Sequence, residues 1–570
     1  HRDLHSFPTR RSSDLKADGS FMLKNETKFN IDSVHFLLPS NFKLLRGAIG
    51  SNSMIVLNDT VLGYYIVHLN QAMKPGDSLP LNFKVEHITR GFVNSGSNTR
   101  IVYNGTFLNN MEFLPVIGYQ QANELNDKEK RKKHKLPEKA RVSPLNDTSA
   151  LMHTYLGEIG DWISFEATVS TTSEQIAIAP GYLTKEWEEN GRRFFHYKMD
   201  RPILNFYSFV SARFQIARDK WKDLPLEIYY HKGHEYNTQK MLEAMKASLD
   251  YFTLNFSPFQ HKQLRIIEFP RYDLFAQSFP NTIPFSEGIG FIANLKSEAD
   301  IDYVFYVTAH EIAHQWWAHQ VIGGNVQGAT LMSEALAQYS ALMVMEKRYG
   351  KDQMRKFLKY ELDKYLSGRR GEMEKELPLT LCENQNYIHY HKGSVVMYAL
   401  RDYIGEQKIN KALSMYLNDW AFQAPPFSNS NDFLKYLRQV TPDSLKYLLH
   451  DMLETITLYD LRAKEANCLQ LEDGRYKITL VTEVSKLRAD SLGNESPLAL
   501  NDWIEIGVLT EKVVDGKKKT QALYLQKHLI TSTKPQFEII VDEKPEWAGI
   551  DPYNKLIDRH SDNNTVKVKF

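Results

Sequence analysis

The chain has 570 residues, of which 42% are hydrophobic, 24% charged and 12% aromatic, and its formal net charge is +1. That length exceeds what one hydrophobic core supports, so about three domains are expected. A near-zero charge gives no bulk field for nucleic acid or an anionic membrane surface, and no apolar run nears the ~18 residues of a membrane-spanning helix.

Residues 1–15, "HRDLHSFPTRRSSDL", show no periodicity and no apolar signal segment. They read like translated sequencing adapter, so they are set aside as an artefactual, disordered leader, which places the native N-terminus further upstream. Residues 16–220 read as strands: "SMIVLNDTVLGYYIVHL", "TRIVYNGTF" and "WISFEATVST" are β-branched and aromatic, with Gly, Asn and Asp turn signals between them. A charge-dense stretch at 126–141, "NDKEKRKKHKLPEKAR", interrupts this run and reads as a solvated loop. Residues 221–455 open with a strand, "PLEIYYH", and continue at helical spacing from "TQKMLEAMKASLDYFTLNF" onward. Residues 456–570 return to strand character in "GRYKITLVTEV", "DWIEIGVL" and "QFEIIV". The expected architecture is multidomain α+β: a β-rich part, an α-rich catalytic part and a second β-rich part. Cys382 and Cys468 lie far apart without a CxxC spacing and read as free thiols.

The chemistry concentrates in "VTAHEIAHQWWAHQ", residues 307–320. On a helix, residues four apart lie ~40° apart around the axis, so His310 and His314 share a face and can grip one metal ion. Glu311 is turned ~100° from His310, outside the ligand set yet beside a metal-bound water. His319 points elsewhere. The motif sits on an apolar stretch expected to be helical, "YVFYVTAHEIAHQWWAH". Trp317 and Gln320 occupy the positions where a metzincin needs glycine and histidine, which excludes that class. The remaining solution is a carboxylate on the next helix, "TLMSEALAQYSALMVMEKRYG", where Glu334 stands near the start. Two imidazoles and one carboxylate leave a coordination position open for water, the pattern of a catalytic zinc site with one ion per chain. The bland alternatives are satisfied core histidines and a glutamate serving the helix dipole.

Together "HEIAHQWW" and "SEALAQY" resemble the "HELAHQWF…NEGFA-Y" pattern of the aminopeptidase N family of zinc peptidases, the gluzincins. The segments "EGIGFIANL", "QVIGGNVQGAT" and "LAQYSALMVMEK" resemble a bacterial branch in which the peptidase is fused to an ATP-binding-cassette transporter permease. The resemblance implies an N-terminal β-saddle, a thermolysin-like catalytic domain and a C-terminal β-sandwich-like domain. It also implies zinc-assisted hydrolysis of N-terminal residues from peptides. The gap between the second histidine and the glutamate, Gln315 to Ser333, is one residue longer than the family's usual spacing. "EALAQY" aligns with "EGFA-Y", which makes Glu334 rather than Ser333 the equivalent, and the Gly-rich loop "VIGGNVQG" is where the extra residue is expected.

By the same resemblance, "YIHYHKGSVVMYALRDYIGE" carries the transition-state tyrosine as Tyr390, ahead of Lys392 and Gly393. The family's Gly-x-Met-Glu-Asn becomes "PFSEG", in which only Glu287 survives as the carboxylate for a substrate's α-amine. Implied partners are a peptide substrate, a membrane-embedded permease portion and an ATPase subunit, with the native protein at the bacterial cell membrane. A non-catalytic peptide- or partner-binding accessory domain is the rival reading; epoxide hydrolysis, known in the family, has no residue here that points to it.

Overall fold

The computed structural model describes residues 3–9, 12–89, 100–157, 159–295, 301–514 and 517–570. Its first part is built on two sheets that share a core, accompanied by a smaller two-stranded and a three-stranded sheet. One has seven strands in the order Tyr182–Glu189, Arg192–Lys198, Glu166–Thr172, Asp3–Thr9, Ser12–Lys24, Ser78–His87 and Lys43–Ile49. The other has Ser53–Asp59, Tyr64–Met73, Ile31–Leu37 and Val116–Ile117. Alternate residues point inward, as strand geometry requires: Val34 and Phe36, Tyr65, Val67 and Leu69, and Leu81, Phe83 and Val85 meet in one core.

Two expectations change here. Residues 3–9 and 12–15, expected to be disordered, are strand: Asp3–Thr9 runs antiparallel to Ser12–Lys24 and parallel to Glu166–Thr172. An open sheet edge offers unpaired N–H and C=O groups that an extended segment satisfies through its backbone, whatever its side chains. The basic run at 126–141 is also more than a solvated loop. Lys128–Lys133 is a short helix whose first turn is capped by the Asp127 carboxylate. Arg131 is buried, donating to the carbonyls of Leu125 and Pro137. Arg141 binds Glu372 and Glu374, which ties this segment to the helical part.

The central part begins with a four-stranded sheet: β1 (Phe214–Trp221), β2 (Leu224–His231), β3 (Leu264–Phe269) and β4 (Thr282–Ser286). β1 is antiparallel to β2, whereas β2, β3 and β4 are mutually parallel. Every residue of β3 is buried, as expected of a central parallel strand covered on both faces. Helix α1 (Thr238–Asn255) makes the crossover from β2 to β3. The helices α2 (Tyr303–Ala313), α3 (Leu336–Tyr349), α4 (Met354–Arg370) and α5 (Gly393–Ile404) follow. α2 packs between α1 and α3.

From Ile456 the chain forms two four-stranded sheets, with Ile478 and Leu480 of one and Ile504, Ile506 and Val508 of the other in a shared core. That core is continuous with the helices. Buried ion pairs also join the two parts: Lys555 Nζ lies 3.0 Å from Asp402 on α5 and 2.8 Å from Glu505. Lys486 Nζ lies 2.6 Å from Asp451 and 2.7 Å from Asp502. Among the described residues no helix is long and apolar enough to cross a membrane. Cys382 is buried, Cys468 half-buried, and both are free.

Candidate metal centre and catalytic residues

α2 starts at a side-chain cap, the Asp302 carboxylate accepting from the Phe305 N–H. It buries Val304, Phe305, Ala309 and Ile312 in the core, which fixes its rotation. The helix ends at Ala313, short of the expected His319. His314 is the cap residue, but at φ −62° and ψ −16° it is still helical, so the four-residue spacing to His310 holds. Beyond it the chain tightens, with Gln315 N–H donating to Ile312 O and Trp316 N–H to Ala313 O. Side chains enforce this ending. The Gln315 amide donates to Ser278 Oγ (2.7 Å) and Phe279 O (2.8 Å) and accepts from Asn281 N–H (3.0 Å). These bonds require Gln315 to turn towards the segment before β4 and outweigh the helical propensity of "QWWAH".

His310 Nε2 and His314 Nε2 lie 3.0 Å apart, and Glu334 Oε2 lies 3.4 Å from the first and 3.2 Å from the second. Tetrahedral zinc with ligand bonds of about 2.0–2.2 Å sets its donors about 3.3–3.5 Å apart, close to this triangle. The imidazole planes are perpendicular, so the lone pairs converge instead of stacking. His314 Nδ1–H donates to Trp317 O at 3.0 Å, which fixes the tautomer and turns Nε2 inward. Burial would lower His314, yet the adjacent Glu334 carboxylate pushes it up to about 9. Burial would raise Glu334, yet the imidazoles hold it well below the usual carboxylate range. A set of two imidazoles and one carboxylate, desolvated and facing inward, fits a divalent ion.

Glu334 reaches the cluster from a π-type turn, Leu331–Ala335, that leads into α3. Tyr390 stands on a second π-type turn, Tyr387–Lys392, leading into α5. Such a turn inserts one residue into a helical path and swings the following side chains, and it recurs at functional sites. The wide turn immediately around Ser333 and Glu334 therefore offers the helix itself as a place for the extra residue, besides the loop. The two turns touch. A Cβ at Gly393 would lie 2.6 Å from Ala335 Cβ and 3.3 Å from its Cα, so only glycine lets the Tyr390 turn approach the Glu334 turn.

Glu311 is buried beside the cluster, with Oε2 lacking a hydrogen-bond partner. Burial raises its pKa and the Glu334 charge adds to this, against the two imidazoles. Tyr390 is raised far above an ordinary phenol by burial and by Glu334 and Glu311, and its ring centre lies 5.8 Å from that of His310. Tyr155 is a residue the sequence reading missed. Tyr155 is half-buried with its phenol beside Ser333 and Glu334, and both burial and the Glu334 charge raise it. It arrives from a distant segment anchored by Tyr155 N–H to Gly323 O, a link with no sequence signal.

Thus His310, His314, Glu334, Glu311 and Tyr390 come together, and Glu287 groups with His231, His234 and Glu268. Glu287 follows β4, accepts from Arg271 N–H at 3.2 Å and lies 3.9 Å from His234 Nδ1. His319 is apart from the cluster as well: its Nε2 donates to Ser278 O at 3.1 Å, and burial lowers it to about 4.

A histidine pair on one helix, a carboxylate from the next and a buried glutamate beside them define a metallohydrolase-type site. Residues 236–452 match the model of the Peptidase family M1 domain. Tricorn protease-interacting factor F2 of Thermoplasma acidophilum is 25% identical over 252 residues, covering 41% of this chain and 31% of its own length. Endoplasmic reticulum aminopeptidase 2 of Homo sapiens is 24% identical over 206 residues, covering 35% and 21%. Aminopeptidase M1-B of Oryza sativa subsp. japonica is 22% identical over 301 residues, covering 50% and 33%. The matched segments span a third or less of these relatives. The matches support the M1, or aminopeptidase N, family and a peptidase function for the matched region.

Proposed function

We propose that this chain is a zinc metallopeptidase of aminopeptidase type. The observation that carries the reading is the convergence of His310, His314 and Glu334 with Glu311 and Tyr390 at their side. A zinc ion held by His310, His314 and Glu334 would supply the Lewis acid that polarises the scissile carbonyl and acidifies a water. Glu311 takes the attacking water's proton on its unpartnered Oε2 and delivers it to the leaving amine. Its raised pKa suits both halves of that task. Tyr390 stays a neutral phenol and donates a hydrogen bond to the carbonyl oxygen as negative charge develops there.

Glu287 is assigned the substrate's α-ammonium on the resemblance of "PFSEG" alone. A charge-assisted contact of that kind contributes about 1.5–3 kcal/mol, which favours free over blocked N-termini by ~10- to 100-fold. The test is a panel of free and N-acetylated aminoacyl chromogenic substrates on the zinc-loaded protein. Cleavage of free amines only, with the difference erased in Glu287→Ala, supports the exopeptidase reading. Equal cleavage of both kinds refutes it and leaves the hydrolytic chemistry standing. Association with a permease portion and an ATPase subunit at the bacterial membrane is likewise proposed from resemblance; co-purification from membranes with the native full-length protein tests it.

A further inference from the structure

The carboxyl ends of β2, β3 and β4 lie side by side, and each carries a potential metal ligand. His231 closes β2, Glu268 is next to last in β3, and Glu287 follows the last residue of β4. His234 joins them from the turn after β2, where Gly233 at φ +90° reverses the chain. The four side chains each bring one donor atom, all within 4.8 Å of one another. In open sheets of parallel strands this edge is where ligands bind, because the loops diverge there and leave a crevice.

The contacts within the cluster are specific. Glu268 has no exposed surface; its Oε2 accepts from the His231 backbone N–H at 2.6 Å, and its Oε1 meets His234 Nδ1. His231 Nδ1 lies 3.3 Å from Glu268 Oε2, yet both ring nitrogens of His231 are buried without a hydrogen-bond partner. Glu287 commits Oε1 to Arg271 N–H and turns Oε2 towards His234. Among the described residues no lysine or arginine side chain pairs with Glu268 or Glu287. Two carboxylates, one fully desolvated, thus lack a fixed cation, while an imidazole beside them has unused lone-pair capacity.

We propose that His231, His234, Glu268 and Glu287 form a second divalent-metal site. Two imidazole nitrogens with two carboxylate oxygens suit a transition ion such as zinc, whereas calcium and magnesium favour all-oxygen sets. His234 and Glu287 are partly exposed, with 28% and 17% of their side-chain surface accessible, and provide the entry path. The site is separate from the His310 cluster and does not rest on the proposed peptidase activity. It bears on that reading only through Glu287: an ion held there neutralises the carboxylate that a substrate ammonium would pair with.

The test is zinc stoichiometry of the whole chain. Chelator-stripped protein is saturated with zinc, passed through gel filtration and measured by plasma mass spectrometry. Two equivalents are expected in the unsubstituted protein and one in His231→Ala or His234→Ala. In a Glu334→Ala background, which removes the first site, adding His234→Ala should abolish the remaining equivalent. Zinc that is wholly lost in Glu334→Ala, or a second equivalent that survives both histidine substitutions, overturns the proposal. Should His231→Ala fail to fold, anomalous diffraction at the zinc edge decides: a peak among the four side chains supports the site, and its absence at saturating zinc refutes it.

Discussion

At the scale of single residues, the His310 cluster separates candidate ligands from bystanders. His310, His314 and Glu334 each supply a donor to one small triangle, while His319 is turned away onto Ser278 O. Replacing any of the three with alanine is expected to remove zinc from that cluster, and His319→Ala and Ser333→Ala to retain it, as read by metal analysis. Loss of that zinc in Ser333→Ala with retention in Glu334→Ala would show that the register is off by one. In the proposed mechanism Glu311 and Tyr390 act on the reaction rather than on the ion. Glu311→Gln should therefore keep zinc while kcat falls by ~10²-fold or more, the usual size of a lost general base. Tyr390→Phe should lower kcat by a similar factor with little change in KM, because its hydrogen bond strengthens mainly in the transition state. Retained turnover in Glu311→Gln would remove that residue from the mechanism.

At the scale of elements, two wide turns do the positioning. The π-type turns at Leu331–Ala335 and Tyr387–Lys392 bring Glu334 and Tyr390 to the histidine face of α2, and Gly393 allows the turns to touch. Gly393→Ala forces the new methyl against Ala335, an overpacking that typically costs about 1–3 kcal/mol. The expected outcome is a lower denaturant midpoint together with a reduced kcat, since the strain falls on the backbone that carries Tyr390. Full activity with unchanged stability would mean that the turns tolerate separation. The helices themselves were legible in the sequence: the apolar period of α2 and the "SEALAQY" start of the next helix are local patterns. The π-type turns were not, because a wide turn is held by tertiary contacts and leaves no periodic trace. The early end of α2 was hidden for the same reason, being imposed by Gln315 bonding a segment more than thirty residues upstream.

At the scale of the whole molecule, burial of ionisable groups sets the response to pH. His261 is buried with both ring nitrogens unpartnered, and burial lowers its pKa from 6.5 to about 3. The unfolded chain takes up a proton at this residue below pH 6.5, but the folded chain does not. The stability His261 contributes is therefore intact above that pH and is lost as the pH falls towards 3, by about 1.4 kcal/mol per unit. His261→Gln lacks this penalty. Between pH 7.5 and 5 its unfolding free energy should rise relative to the unsubstituted protein by roughly 2 kcal/mol, as measured by urea denaturation. A constant difference across that range would mean that His261 protonates in the fold. The joint between helices and C-terminal sheets offers a second test. Lys555→Met leaves Glu505 buried without its cation, while Asp402 keeps Lys527 and Lys351; the loss of about 3–5 kcal/mol should appear as a lower denaturant midpoint.

The sequence alone determined what is local: the helical face shared by His310 and His314, the placement of Glu311 beside it, and the succession of β-rich, helical and β-rich parts. Spacing along one helix or strand is a property of a few consecutive residues, so it can be read without a fold. Convergence of distant segments was decided only by the tertiary structure. Tyr155 meets Glu334 because its segment is pinned to Gly323, and Glu287 lies against His234 because β2, β3 and β4 end side by side. Parallel pairing and packed crossovers bring such residues together through contacts far apart in the chain, and no short pattern encodes them.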